Sequence, residues 1–139
     1  MRIIGVMLLI ACSIPGIRPE GRTQSVSATA PASRDLVYQR ARGWFARNNY
    51  TVTSEVQGKS VNGFLVIRRE QTVETRAVVR FEILRSSATE TSYIVESRTE
   101  RGTPPVFAIV AENAPEAEGA PESIASWLSC PYARWPACP

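Results

Sequence analysis

The sequence predicts an α+β domain, and three observations predict it. Residues from Ser33 to Asn49 carry their apolar side chains at helical spacing. From Tyr50 to Glu100 the period falls to two, in runs separated by short turns. Near the C-terminus, Ile124, Trp127 and Leu128 return to spacings of three and four. The chain has 139 residues, of which 44% are hydrophobic and 21% charged. That is room for one domain and too apolar for wholesale disorder. The expected architecture is an N-terminal helix, an antiparallel meander of four or five strands and a short C-terminal helix, with both helices on one sheet face.

Each element has its own warrant. Ser33 is a candidate N-cap, and Asp35 suits a first helical turn. Val37, Ala41, Trp44 and Phe45 form one helical face, with Arg34, Arg40 and Arg47 assigned to the others; Trp44 and Phe45 read as core. Asn48-Asn49 is a stop, because asparagine tolerates the left-handed conformation. Tyr50 to Val56 alternates as a first strand, and Gln57 to Ser60 reads as a turn. Phe64–Arg69, Thr75–Leu84 and Thr91–Glu100 are the next strands. In the third, Ala77, Val79, Phe81 and Ile83 share a face opposite Arg76, Arg80 and Glu82; in the fourth, Tyr93 and Val95 oppose Ile94, Glu96 and Arg98. One apolar and one charged face imply a sheet covered on one side only. Gly102 to Pro105 is expected to interrupt the sheet, and Val106–Val110 fits a fifth strand and a helix start equally. Ala114 to Ala120 reads as an acidic flexible loop, with the last helix starting at Pro121.

Ahead of this domain lies an address. Arg2 precedes the apolar run Ile3–Ile10, which is too short to span a bilayer but fits the apolar region of a signal peptide. Leu9-Ile10-Ala11-Cys12 follows the pattern of a branched apolar residue, a tolerant position, a small residue and cysteine. It resembles the lipobox of bacterial lipoprotein precursors. The resemblance covers about the first twelve residues and implies removal of residues 1–11, a thioether-linked diacylglycerol on Cys12 and acylation of the new N-terminus, with palmitate as a typical chain. Ser13 is not the aspartate that this family associates with inner-membrane retention, so the resemblance implies the outer membrane, facing the periplasm. Residues 12–32 then read as a tether rich in Pro, Gly and small polar residues, with a reach of roughly 25 Å, and residues 33–139 as the domain. The helix–meander–helix order and the Gln57–Gly63 turn are also similar to small envelope lipoprotein domains with a TATA-binding-protein-like half-fold; that resemblance implies no activity.

Catalytic patterns are scarce. There is no histidine, which excludes Ser–His–Asp and Cys–His sites and removes the commonest zinc ligand. Lys59, the only lysine, adjoins Ser60 in a turn, where little desolvation would lower its pKa for a Ser–Lys dyad. Glu112, Glu116, Glu118 and Glu122 lack the pattern of a calcium loop and read as a solvated segment. No phosphate-binding glycine motif occurs. Fifteen arginines among sixteen basic residues suggest nucleic acid only by number, since glutamates interleave them and the net charge is +3.

The sequence therefore predicts a lipid-anchored cell-envelope protein that binds or scaffolds, with no enzyme activity, cofactor or metal and no nucleic-acid partner. A small-ligand carrier is the alternative, and a hydrolase using dispersed carboxylates a further one. If Cys12 carries lipid, Cys130 and Cys138 remain to pair in the oxidising periplasm. The expected docking surface is the charged sheet face with Arg76, Arg80 and Arg98, joined by Tyr132 and Trp135 of the C-terminal loop. Its partner would be an envelope protein or an anionic envelope polymer.

Overall fold

A computed structural model describes residues 23–130. Within them the chain runs β1 (Gln24–Ala30), α1 (Arg34–Arg47), β2 (Thr51–Val56), β3 (Ser60–Glu70), β4 (Val73–Ser86), β5 (Thr91–Thr103), β6 (Val106–Ile109) and α2 (Pro115–Ser129). All strand pairs are antiparallel, in the order β1-β5-β4-β3-β2, and β6 pairs with β5. The fold is the α+β meander with two helices that the sequence predicts, with one more strand than the upper count. The resemblance to a lipobox, and the expected roles of Cys12, Tyr132, Trp135 and Cys138, lie outside the described residues.

Strand β1 moves the start of the domain. Gln24–Ala30, expected within the tether, pairs along β5 from Gln24 opposite Ser97 to Ala30 opposite Thr91. Its residues alternate between half-buried and exposed until Ala30, which is fully buried. The inward side chains are Val26, Ala28 and Ala30. Small residues weaken the strand signal, yet they let α2 settle close over β1 and β5. Strand β6 takes the remaining length of the same β5 edge, from Thr103 opposite Val106 to Glu100 opposite Ile109. Hence Val106–Ile109 is a strand, and Gly102 belongs to β5 rather than interrupting it. A Cβ on Gly102 would stand 2.1 Å from the Val106 carbonyl oxygen, so only glycine lets the β5–β6 hairpin close.

Helix α2 begins six residues before the expected start. Ala114–Ala120 is not a loop: Pro115 occupies the first turn, followed by Glu116 and Glu118, and Pro121 lies inside the helix. Proline at position 121 has no N–H for the Ala117 carbonyl four residues back. The Ser97 hydroxyl of β5 donates to that carbonyl instead, in a buried hydrogen bond. A sheet residue thereby repairs the helix, and this long-range contact has no trace in the local pattern.

The core fills the space between the inner sheet face and both helices. Val37, Ala41, Trp44 and Phe45 of α1 meet Val61, Val79, Phe81 and Ile83, while Ile124, Trp127 and Leu128 of α2 cover Tyr93 and Val95. Gly63 admits α1, since a Cβ there would lie 2.8 Å from the Thr51 carbonyl oxygen and 3.0 Å from Phe45 Cδ2. The Trp44 indole donates to Ser123 Oγ at 3.0 Å and the Trp127 indole to the Arg40 carbonyl at 2.8 Å, locking the helices together. Arg40, expected on a solvent face, is only 3% exposed, and its Nη1 donates to the Cys130 carbonyl at 3.1 Å. It sits three residues after Val37 and four before Trp44, hence on the buried stripe.

Candidate functional site

Among the described residues no helix covers the outer face of the sheet. Alternation along β4 and β5 places Arg76, Arg80 and Glu82 on the face of Glu96 and Arg98, as the strand parity predicts, with Glu100 beside them. Arg80 stands opposite Glu96 in the register, with Nη1 3.9 Å from its carboxylate and Nη2 2.9 Å from Glu82. Arg98 Nε donates to Glu100 at 2.7 Å. Each of the three arginines therefore has a carboxylate partner on its own sheet.

Arg76 is the most constrained of them. Its guanidinium carbon lies 3.9 Å from the Phe64 ring centroid and 4.1 Å from that of Phe107, so two rings from β3 and β6 sandwich it. Nη2 reaches Glu74 Oε1 at 3.0 Å, while Arg69 Nη2 holds the other carboxylate oxygen at 2.6 Å. Hydrogen bonds from Arg69, then Arg76, keep the Glu74 carboxyl below the usual carboxylate range against the opposing effect of burial. Phe64 and Phe107 are site residues the sequence reading missed. Phe64 was legible as an outward position of a strand, but the sandwich needs β6 beside β5, and the local sequence left β6 open between strand and helix.

A second concavity opens on the inner face, where α2 starts and the helices no longer cover the sheet. This cleft of about 910 Å³ is lined by Ile67, Arg68, Thr75, Thr99, Arg101 and the segment from Val110 to Glu116. Its wall is built by exchange between strand and segment. Thr99 N donates to Asn113 Oδ1 at 3.0 Å and Ala114 N to Thr99 Oγ1 at 2.8 Å. Thr75 is 8% exposed, and its hydroxyl has no hydrogen-bond partner among the described residues. Glu112 and Glu116 stand exposed at the rim.

Two tyrosines, Tyr38 within α1 and Tyr50 just before β2, are also perturbed. The Tyr38 hydroxyl donates to Glu55, and burial followed by this carboxylate pushes it up to about 12. Burial does the same for Tyr50, also to about 12. Among the described residues no group of three acidic or cysteine side chains could hold a metal ion, and no helix is long and apolar enough to cross a membrane. Cys130 is disulfide-bonded; its partner lies outside the described residues.

These features define an α+β domain with one packed and one open sheet face. No family model matches the chain, and no curated protein matches it. Among solved structures it is similar to a DUF4468 family protein from Bacteroides ovatus, at 14% identity over 78% of this chain and 70% of that one, with a TM-score of 0.35. It is also similar to the Zhui aromatase/cyclase from Streptomyces sp. R1128, at 11% identity over 77% of this chain and 83% of that one, with a TM-score of 0.33.

Proposed function

We propose that the protein is a lipid-anchored binding module of the bacterial cell envelope, without catalytic activity of its own, that docks a partner on the open face of its sheet. The observation that carries this reading is the Arg76 sandwich. A guanidinium clamped between Phe64 and Phe107 and held by Glu74 has little rotamer entropy left to lose on binding. Arginine and aromatic side chains on a rigid surface are the composition of binding hot spots. The lipobox at Leu9–Cys12 supplies the anchor, on the outer membrane facing the periplasm. Domain structure from Gln24 leaves the eleven residues 13–23 between Cys12 and the sheet, whose covalent length of at most roughly 40 Å keeps the domain near the bilayer. The partner is an envelope protein or anionic envelope polymer. Cys138 is the partner of Cys130; an alkylatable thiol at Cys138 without reductant excludes that bridge.

Two experiments test the reading. Fatty-acid labelling should mark the wild type and not Cys12→Ala; unlabelled wild-type protein in a soluble fraction removes the anchor. Replacing Arg76, Arg80 and Arg98 by serine should abolish partner recovery after crosslinking in membranes, and undiminished capture excludes the sheet face.

The cleft supports a second reading, a carrier of small molecules. The Thr75 hydroxyl, without a hydrogen-bond partner among the described residues, and the polar side chains of Arg68, Arg101 and Asn113 offer hydrogen bonds to a ligand. Native mass spectrometry of protein released from membranes should then show a bound small molecule that Thr75→Val loses.

A further inference from the structure

Three cations from separate elements meet at the end of the sheet where β2 turns into β3. Arg34 opens α1, Lys59 lies in the β2–β3 turn and Arg85 follows a bulge in β4; together they line one groove of about 320 Å³. Among the described residues no carboxylate lines it. Arg34 and Arg85 form no ion pair among the described residues, and Lys59 reaches only Glu82, at 3.9 Å. Glu82 also binds Arg80, at 2.9 Å, so it leaves the groove positive. Asp35 follows Arg34 in the chain but does not line the groove. Arg34 also stands in the first turn of a helix, where the macrodipole disfavours a cation, so local structure gives no reason for it.

Two exposed apolar side chains line the same groove. Leu84 is 58% and Val56 55% exposed. The β4 register shifts between Ile83 and Arg85, and such a bulge re-aims the side chain it carries. On the outer sheet face, by contrast, the arginines are matched by glutamates.

The geometry points to this groove as a contact surface for an anionic phospholipid bilayer: Arg34, Lys59 and Arg85 engage headgroup phosphates while Leu84 and Val56 enter the interface. Cations attract the anionic surface and a few apolar side chains add burial below it, the two terms that hold interfacial segments to membranes. The docking goes beyond the proposed partner face and uses a different surface; it rests on the anchored reading only for bringing a bilayer within reach. Eleven residues between Cys12 and Gln24 extend to at most roughly 40 Å, and β1 is about 24 Å long, so the tether can follow the strand to this end of the sheet. Lying on this surface, the domain is oriented by the membrane instead of swinging freely.

The test uses the full chain with a photoreactive benzophenone amino acid in place of Leu84, mixed with phosphatidylcholine vesicles with and without phosphatidylglycerol. Irradiation should give lipid adducts by mass spectrometry only with phosphatidylglycerol. High salt and the triple variant Arg34→Ser, Lys59→Ser, Arg85→Ser should each abolish them. Val56→Ser, which keeps every charge, should reduce them, and circular dichroism should show both variants folded. Adducts that are absent, or equal in both vesicle types, while the protein floats with the vesicles overturn the proposal. So does loss of adducts to millimolar inorganic phosphate at constant ionic strength, which assigns the groove to a free anion. Failure of the anchor reads differently: the protein then does not float with pure phosphatidylcholine, whereas adducts with phosphatidylglycerol still support the groove.

Discussion

The two faces of one sheet show how differently the same strands can be stabilised. On the inner face Val79, Phe81, Tyr93 and Val95 are 0–2% exposed and pack under both helices. On the outer face, one residue along in each strand, Arg80 pairs with Glu82 and Glu96 and Arg98 with Glu100, through ion pairs that stay partly wet. The inner face is held by burial, which depends on shape and is insensitive to salt. The outer face is held by charge pairing, which is weak per pair and screened. A face whose contacts are weak can exchange them for a partner's, and a packed face cannot. That difference is why the proposed binding role is assigned to the outer side.

Breaking the inner face should have the largest effect. Phe81→Ala removes a fully buried ring that stacks 5.6 Å from Tyr93, and should cost about 3–5 kcal/mol in denaturant unfolding. Next comes Gly63→Ala, whose Cβ presses on Thr51 and Phe45; overpacking of this kind costs about 1–3 kcal/mol, and the melting temperature should fall accordingly. On the outer face Arg76→Ser loses both ring contacts and its share of Glu74, for about 1 kcal/mol. Arg80→Ser is the smallest, within about 0.5 kcal/mol, because its side chain is 48% exposed and its pairs are screened. A larger loss from Arg80→Ser than from Arg76→Ser would erase the gradation within the outer face.

A pH series sharpens the comparison. The folded state holds Glu74 below the ordinary carboxylate range, so its contribution is present above that range and lost as pH falls through the lowered value. Glu74→Gln should flatten this acid dependence. At the alkaline end Tyr38 and Tyr50, pushed up to about 12, favour the fold below about pH 10 and lose that contribution as pH rises toward 12. Tyr38→Phe should remove its part of the alkaline slope, read by thermal unfolding across the pH series.

Much of this was legible because it is local. The stripe Val37–Phe45 and the alternation of Thr75–Leu84 and Thr91–Glu100 assign faces with no knowledge of neighbours, since period alone decides which side a residue takes. Even the Arg80–Glu96 pair could be anticipated from two strands expected to be adjacent. What was missed is non-local. β1 is built of serine, threonine, alanine and one valine and glutamine, a composition shared with linkers, and becomes a strand because β5 offers it an unpaired edge. Pro121 reads as a helix start because nothing nearby reveals that Ser97 will satisfy the Ala117 carbonyl.

The candidate sites divide in the same way. Sequence alone determined that the domain has an apolar and an arginine-rich sheet face, that histidine chemistry is excluded, and that Arg76, Arg80 and Arg98 share a side, because side-chain direction in a strand follows from parity. Only the tertiary structure decided that Arg76 lies between Phe64 and Phe107, that Thr75 lines a cleft, and that Arg34, Lys59 and Arg85 share a groove. Those juxtapositions join residues from different elements, and register, bulges and helix placement are set by the packing of the whole core rather than by any one segment.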